Sequence, residues 1–285
     1  MKVLRGIGTA IVLIVLCGAL ALALVAGPVR FMALNPAYLK AFMPTRSYCD
    51  EMRERVSEDL DHVALLYGLD EGALNEVVTD ESIRSFTNDM IDALFAAETK
   101  TELNLPAYPS EGFAAYLRER TSYSETAIRD FSEDCAAAVT EDLSAIDSSL
   151  LVGAFTSFRD GAFANASILL FAGGAALTLL MCALLKLMYM GKSKRTGSVV
   201  LWGGCFMGVT LVFVPVMQFL LFDYIGRLNV SISAFRTILT GLLNTVLYGW
   251  FLVLLVLLLF TILMLTLAIV RACRKKRPRK AEKKA

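Results

Sequence analysis

Glu54, Glu58 and His62 stand at i, i+4 and i+8. On a helix they share one face, and two carboxylates with an imidazole can ligate a divalent ion. A solvated acidic face is the simpler account of the same residues, and no metal or other cofactor is expected. His62 is the only histidine, which removes two-histidine zinc motifs and leaves Ser231 and Ser233 without an imidazole base. Neither G-x-x-x-x-G-K-[ST] nor G-x-G-x-x-G occurs, so no nucleotide site is indicated. Carboxylates abound between 30 and 165, and pairs of them arise there by chance, so they carry no glycosidase signal. No catalytic residue is assigned, and the expected function is non-enzymatic.

Charge and hydropathy explain why chemistry is scarce. The 285 residues are 56% hydrophobic and 19% charged, more apolar and less charged than soluble chains. A formal net charge of +1 conceals a split. Residues 30–165 hold eleven Lys/Arg against twenty-five Asp/Glu, a net of −14, and the rest of the chain carries a net of +15. Two parts in two environments are implied.

Residues 6–27 contain no charge and are long enough to cross a hydrocarbon core of ~30 Å. A cleaved signal peptide is the alternative, but the apolar run exceeds the usual signal length, so a retained anchor is expected. Further apolar runs cover 166–190, 199–222 and 242–270. The 191–198 loop, GKSKRTGS, and the tail 271–285 are basic, as are Lys2 and Arg5. By the positive-inside rule all three are cytoplasmic, which places segment 28–165 and the short 223–241 loop outside a plasma membrane. Lys186, about one turn from a span end, can snorkel to the interface. Asp223 and Arg227 can pair at the outer boundary. Pro215 is expected to kink its span, and Trp202, Tyr189 and Trp250 read as interfacial anchors.

The outside segment reads as helical. Cys49, Met52, Val56, Leu60, Val63 and Tyr67 recur at steps of three or four, and Gly68 is the expected stop. Asp70 is expected to cap a short helix through Val78, and Thr79 or Asp80 the next, whose face is Ile83, Phe86, Met90, Leu94 and Ala97. Ser110 caps a helix with Phe113 and Leu117. Ser122 and Glu125 make a capping box ahead of a seam through Ile128, Phe131, Cys135, Val139, Leu143, Ile146 and Leu150. Cys49 and Cys135 are the only two of six cysteines in this segment. Both fall on core faces and are a disulfide candidate closing an 87-residue loop, worth about 4 kcal/mol, with two buried free thiols as the alternative. The expected fold is therefore all-α, with four transmembrane helices and an extracytoplasmic helical-bundle domain between the first and second spans. Its segments are 1–27 (cytoplasmic N-terminus and first span), 28–165 (acidic helical domain), 166–270 (three spans with short loops) and 271–285 (polybasic tail).

Small residues mark helix packing. Gly204 and Gly208 form G-x-x-x-G in the third span, and Gly173 and Gly174 lie in a small-residue patch of the second. Such residues let backbones approach, either within the four-helix unit or against a membrane partner or second copy. In the tail, Arg274, Lys275, Lys276 and Arg277 follow a span directly and suit anionic lipid rather than nucleic acid.

One span, a large outside segment and then three spans is an order that resembles ABC-type permeases. The loop GKSKRTGS is far shorter than their coupling element, and strands common in their outside domains are not seen. A closer resemblance covers 38–97, with aromatic starts at Tyr38 and Tyr48, the turn Leu66-Tyr67-Gly68-Leu69, and Val77-Val78. It is to uncharacterised four-span integral membrane proteins of Gram-positive bacteria. The resemblance implies a bacterial cell membrane and no known activity. A binding, sensing or scaffold module of the cell envelope is the leading expectation, and a membrane subunit of a multi-chain transport system the alternative.

Overall fold

The computed structural model describes residues 2–97, 107–120, 122–144, 148–190, 194–222, 224, 227 and 233–273. Among them every regular element is helical: α1 (Lys2–Pro28) with a wider π turn at Val29–Ala33, α2 (Pro36–Phe42), α3 (Arg46–Leu66), α4 (Asp80–Ala96), α5 (Glu111–Arg120), α6 (Glu125–Ser144), α7 (Ser148–Arg159), α8 (Ala162–Met188), α9 (Lys194–Leu221) and α10 (Ser233–Cys273). They divide into two compact units. One comprises Met1–Phe31, Phe163–Tyr224 and Leu247–Ala285; the other comprises Met32–Ala162 and Ile225–Val246. Four stretches are long and apolar enough to cross a membrane: Gly6–Ala33, Val152–Met188, Lys194–Leu221 and Thr237–Cys273. Each exceeds the ~20 residues a bilayer requires.

The helical unit owes its core to amphipathic spacing. On α3 the buried residues are Tyr48, Cys49, Met52, Val56, Leu60 and Ala64, the stripe that a 3.6-residue period lays on one face. Tyr67, Gly68 and Leu69 end the helix in a Schellman motif. The Leu69 amide donates to the Ala64 carbonyl at 2.9 Å and the Gly68 amide to Leu65 at 3.1 Å, with Gly68 at φ +72°. Thr79 caps α4 through a reciprocal bond with Ser82, and α4 buries Ile83, Phe86, Met90, Ile91 and Leu94. Phe113 and Leu117 of α5 and Ile128, Phe131, Cys135 and Val139 of α6 complete the same core. α3 packs on α4 and α6, α5 on α6, and α2 on α4.

Three expectations are corrected here. Residues 70–78 form no helix: successive turns carry i→i+3 bonds such as Ala73 to Asp70, and Gly72 sits at φ +77°, where its amide donates to Asp61 Oδ1 at 2.7 Å. A left-handed residue cannot continue an α-helix. The cap of α6 is Ser124, whose Oγ accepts from the Ala127 amide at 3.3 Å, so Ser122 plays no capping part. The seam expected through Leu150 is seen as far as Val139 on α6; the side chains of Leu143, Ile146 and Leu150 lie outside the described residues. Finally, α10 starts well before 242. Ile238 and Leu242 are buried in the core with Tyr48, Met43 and Leu39, so part of the expected fourth span and its preceding loop belongs to the helical unit. At 41 residues α10 is about 60 Å long, twice the thickness of a hydrocarbon core.

In the other unit, α1 packs along α9. Val212, Phe213 and Val216 of α9 and Leu254 of α10 form a small core, with Trp250, Phe251 and Ala21 against it. Trp250, half-buried, packs one face against this core. Pro215 lies inside α9, which continues through it to Leu221.

Candidate functional site

The Schellman stop and the cap at Thr45 fix the ends of α3, and its buried stripe fixes its rotation. Glu54, Glu58 and His62 therefore all face solvent. Glu51, Glu54, Arg55 and Glu58 line a shallow cleft of about 370 Å³, which His62 does not join. Glu51 Oε1 accepts a 2.7 Å bond from the Thr237 hydroxyl and lies 3.8 Å from the Arg55 guanidinium. The cleft is thus an acidic surface with its own counter-ion. Among the described residues no three His, Cys, Asp or Glu side chains gather closely enough to hold a metal ion. The face can attract a basic partner through its field.

The structure separates the two domain cysteines. Cys49 and Cys135 are both fully buried, and both are free thiols. The reason is register. Tyr67, just past the end of α3, stacks edge-on against Phe131 at 5.0 Å and donates to Asp134 at 2.7 Å, while the Tyr123 hydroxyl, just ahead of α6, donates to the Tyr67 carbonyl at 3.0 Å. α3 and α6 are therefore antiparallel, with the end of one beside the start of the other. Cys135 lies at the level of Tyr67, and Cys49 is eighteen residues back along α3, on the order of 25 Å away at 1.5 Å per residue. A disulfide needs Cα atoms within about 7 Å. Sharing a core face was legible in the sequence; sharing a height was not. Burial pushes the Cys135 thiol up to about 12, and burial likewise pushes Tyr48 up to about 12.

The small residues divide by direction. A Cβ at Gly204 would meet Leu13 and Leu16, and one at Gly208 would meet Leu20 and the Cys17 backbone, so this G-x-x-x-G seats α1. The Cys17 thiol donates to the Gly204 carbonyl at 3.3 Å. Gly174 also faces α1, where its added Cβ would stand 2.9 Å from the Ala19 carbonyl oxygen. Gly173 and Gly203 face open space. Gly204, Gly208 and Gly174 thus serve packing within the unit, and Gly173 does not. Arg274, Lys275, Lys276 and Arg277, and Asp223 of the expected pair with Arg227, lie outside the described residues.

Three features escaped the sequence reading. Arg159, at the end of α7, donates to the carbonyls of Phe95 (2.8 Å) and Ala97 (2.9 Å), capping the C-terminus of α4 with a positive charge. Nothing in the spacing links Arg159 to a helix sixty residues earlier. Tyr108 is buried and donates to Ser82 Oγ at 2.6 Å, while its amide donates to Thr140 at 3.0 Å, tying the segment before α5 to α4 and α6. Helix α2 had a readable signal: Asn35 accepts from the Ala37 and Tyr38 amides, and Pro36 occupies the first helical position.

These elements define a helical protein with four membrane-spanning candidates and a separately cored helical unit. Comparison with protein-family models, curated proteins and solved structures gave no match to the chain.

Proposed function

We propose that the chain is a multi-pass, non-enzymatic protein of the bacterial plasma membrane whose acidic helical unit is displayed outside as a surface for a partner, in a binding, sensing or scaffold role. The observation that carries this reading is a unit with its own buried core and an acid-rich exterior, continuous in the chain with four apolar helices. Basic residues in the short 191–198 loop and at the C-terminal end favour cytoplasmic termini. The resemblance over 38–97 to four-span proteins of Gram-positive bacteria agrees with that membrane.

One observation favours a second reading, a membrane subunit of an ABC-permease-like transport system. Gly173 and Gly203 leave small-residue positions open on α8 and α9, where another transmembrane chain can approach. In-membrane crosslinking, gentle extraction and mass spectrometry separate the two. Recovery alone, or with envelope proteins crosslinked through the helical unit, supports the binding module. A stoichiometric ATPase or permease overturns it in favour of the transport subunit.

A further inference from the structure

A cavity of about 620 Å³ opens between the end of α8 and the start of α9. Its polar wall holds Lys186, Lys194, Ser198 and Tyr189, and its apolar wall includes Leu201 and Trp202. Among the described residues no carboxylate lines it. Neither lysine takes part in an ion pair among the described residues. Snorkelling accounts for one lysine at a span end. It does not account for two on the wall of one cavity beside a hydroxyl. The wall is also built. A Cβ at Gly197 would collide with the Tyr189 side chain, so α9 closes directly onto the tyrosine. The Tyr189 hydroxyl lies 3.4 Å from the Thr9 hydroxyl on α1.

Two ammonium groups with a hydroxyl recognise a phosphate, and Leu201 and Trp202 continue the cavity as apolar surface along a membrane-spanning candidate. A ligand matching both is an amphiphile with an anionic head. We propose that this cavity binds the headgroup of an anionic phospholipid, with Lys186 and Lys194 on its phosphate and an acyl chain along Leu201 and Trp202. Lys186 and Lys194 carry this site, whereas a polybasic segment acts diffusely on an anionic leaflet. Only the leaflet assignment, cytoplasmic, rests on the topology proposed above.

The test uses the full chain in phosphatidylcholine nanodiscs doped with phosphatidylglycerol. Lipid retained after exchange into pure phosphatidylcholine is read by native mass spectrometry. Wild type is expected to retain phosphatidylglycerol, and the Lys186→Gln/Lys194→Gln double variant to lose about twenty-five-fold in affinity, from roughly a five-fold loss per lysine. Should the double variant misfold, Lys194→Gln alone, at an exposed helix start, is expected to lose about five-fold. Neutralising Arg274, Lys275, Lys276 and Arg277 together is expected to cost less retention than the Lys186→Gln/Lys194→Gln double variant. Equal retention of both lipids by wild type, loss only with the tail variant, or displacement by inorganic phosphate overturns the proposal. Nanodiscs expose both faces, so the result does not depend on orientation. An inverted topology would leave lipid binding intact and fail only the reading above.

Discussion

Two adjacent glycines on α8 give the packing account its sharpest test. Gly174 is buried and Gly173 exposed, so alanine enters the same helix at neighbouring positions into opposite environments. At Gly174 the new Cβ meets the Ala19 carbonyl oxygen at 2.9 Å and the Ala23 amide nitrogen at 3.0 Å. Both are backbone atoms of α1, so the clash is relieved only by moving a helix. At Gly173 nothing lies within 4 Å. The gain of about 1 kcal/mol in helix propensity is common to both substitutions and cancels between them. The difference isolates overpacking, about 1–3 kcal/mol. Unfolding of full-length protein in mild detergent titrated with SDS can be followed through Trp202 and Trp250, which both lie in the unit containing α8. Gly174→Ala is expected to be less stable than Gly173→Ala by that amount. Equal stabilities would refute the α1–α8 contact. A less stable Gly173→Ala would mean that another chain covers the open face.

Other consequences are as direct. Alkylation of denatured, unreduced protein is expected to add six adducts, one per cysteine; four would restore a disulfide. Arg159→Ala removes charged hydrogen bonds to two carbonyls of α4 and is expected to destabilise the helical unit by about 1–3 kcal/mol, read from its thermal midpoint, with Arg159→Lys recovering part; no change would refute the cap. Cys135 and Tyr48 hold their protons more tightly folded than unfolded, with values raised from 9.0 and 10.0 to about 12. Their contribution is full below pH 9 and is lost as pH rises toward 12. Helicity followed by circular dichroism is expected to fall across that window, and the Cys135→Ala/Tyr48→Phe variant to hold it to higher pH. An unchanged alkaline profile contradicts their burial.

Much of the helical unit was legible because its stripes are regular. Every position from Cys49 to Leu60 assigned to the α3 face is buried, and Gly68 stops the helix where its left-handed backbone is needed. What failed was local competition and long-range register. Ser122 and Ser124 offer similar hydroxyls, and only the chain path decides that Ser124 reaches the Ala127 amide. Ile238 and Leu242 are as apolar as any membrane residue, so hydropathy cannot tell that they pack against protein. Cys49 and Cys135 share a face but not a level, a distinction set by Tyr67 docking on Phe131. For the acidic face, residue types were readable, while the pairing of Glu51 with Thr237, 186 positions away, was not.

Topology tests the central claim most directly. Glu119 is exposed on α5, Cys273 is exposed at the end of α10, and Cys49 and Cys135 are buried, so a Glu119→Cys variant reports the side on which the helical unit lies and native Cys273 the side on which α10 ends. With a membrane-impermeant maleimide on intact cells, the thiol introduced by Glu119→Cys is expected to label at once and Cys273 only after permeabilisation. Labelling of Cys273 on intact cells, or protection of the introduced thiol until the membrane is opened, would contradict an outward-facing helical unit and the partner-binding role built on it.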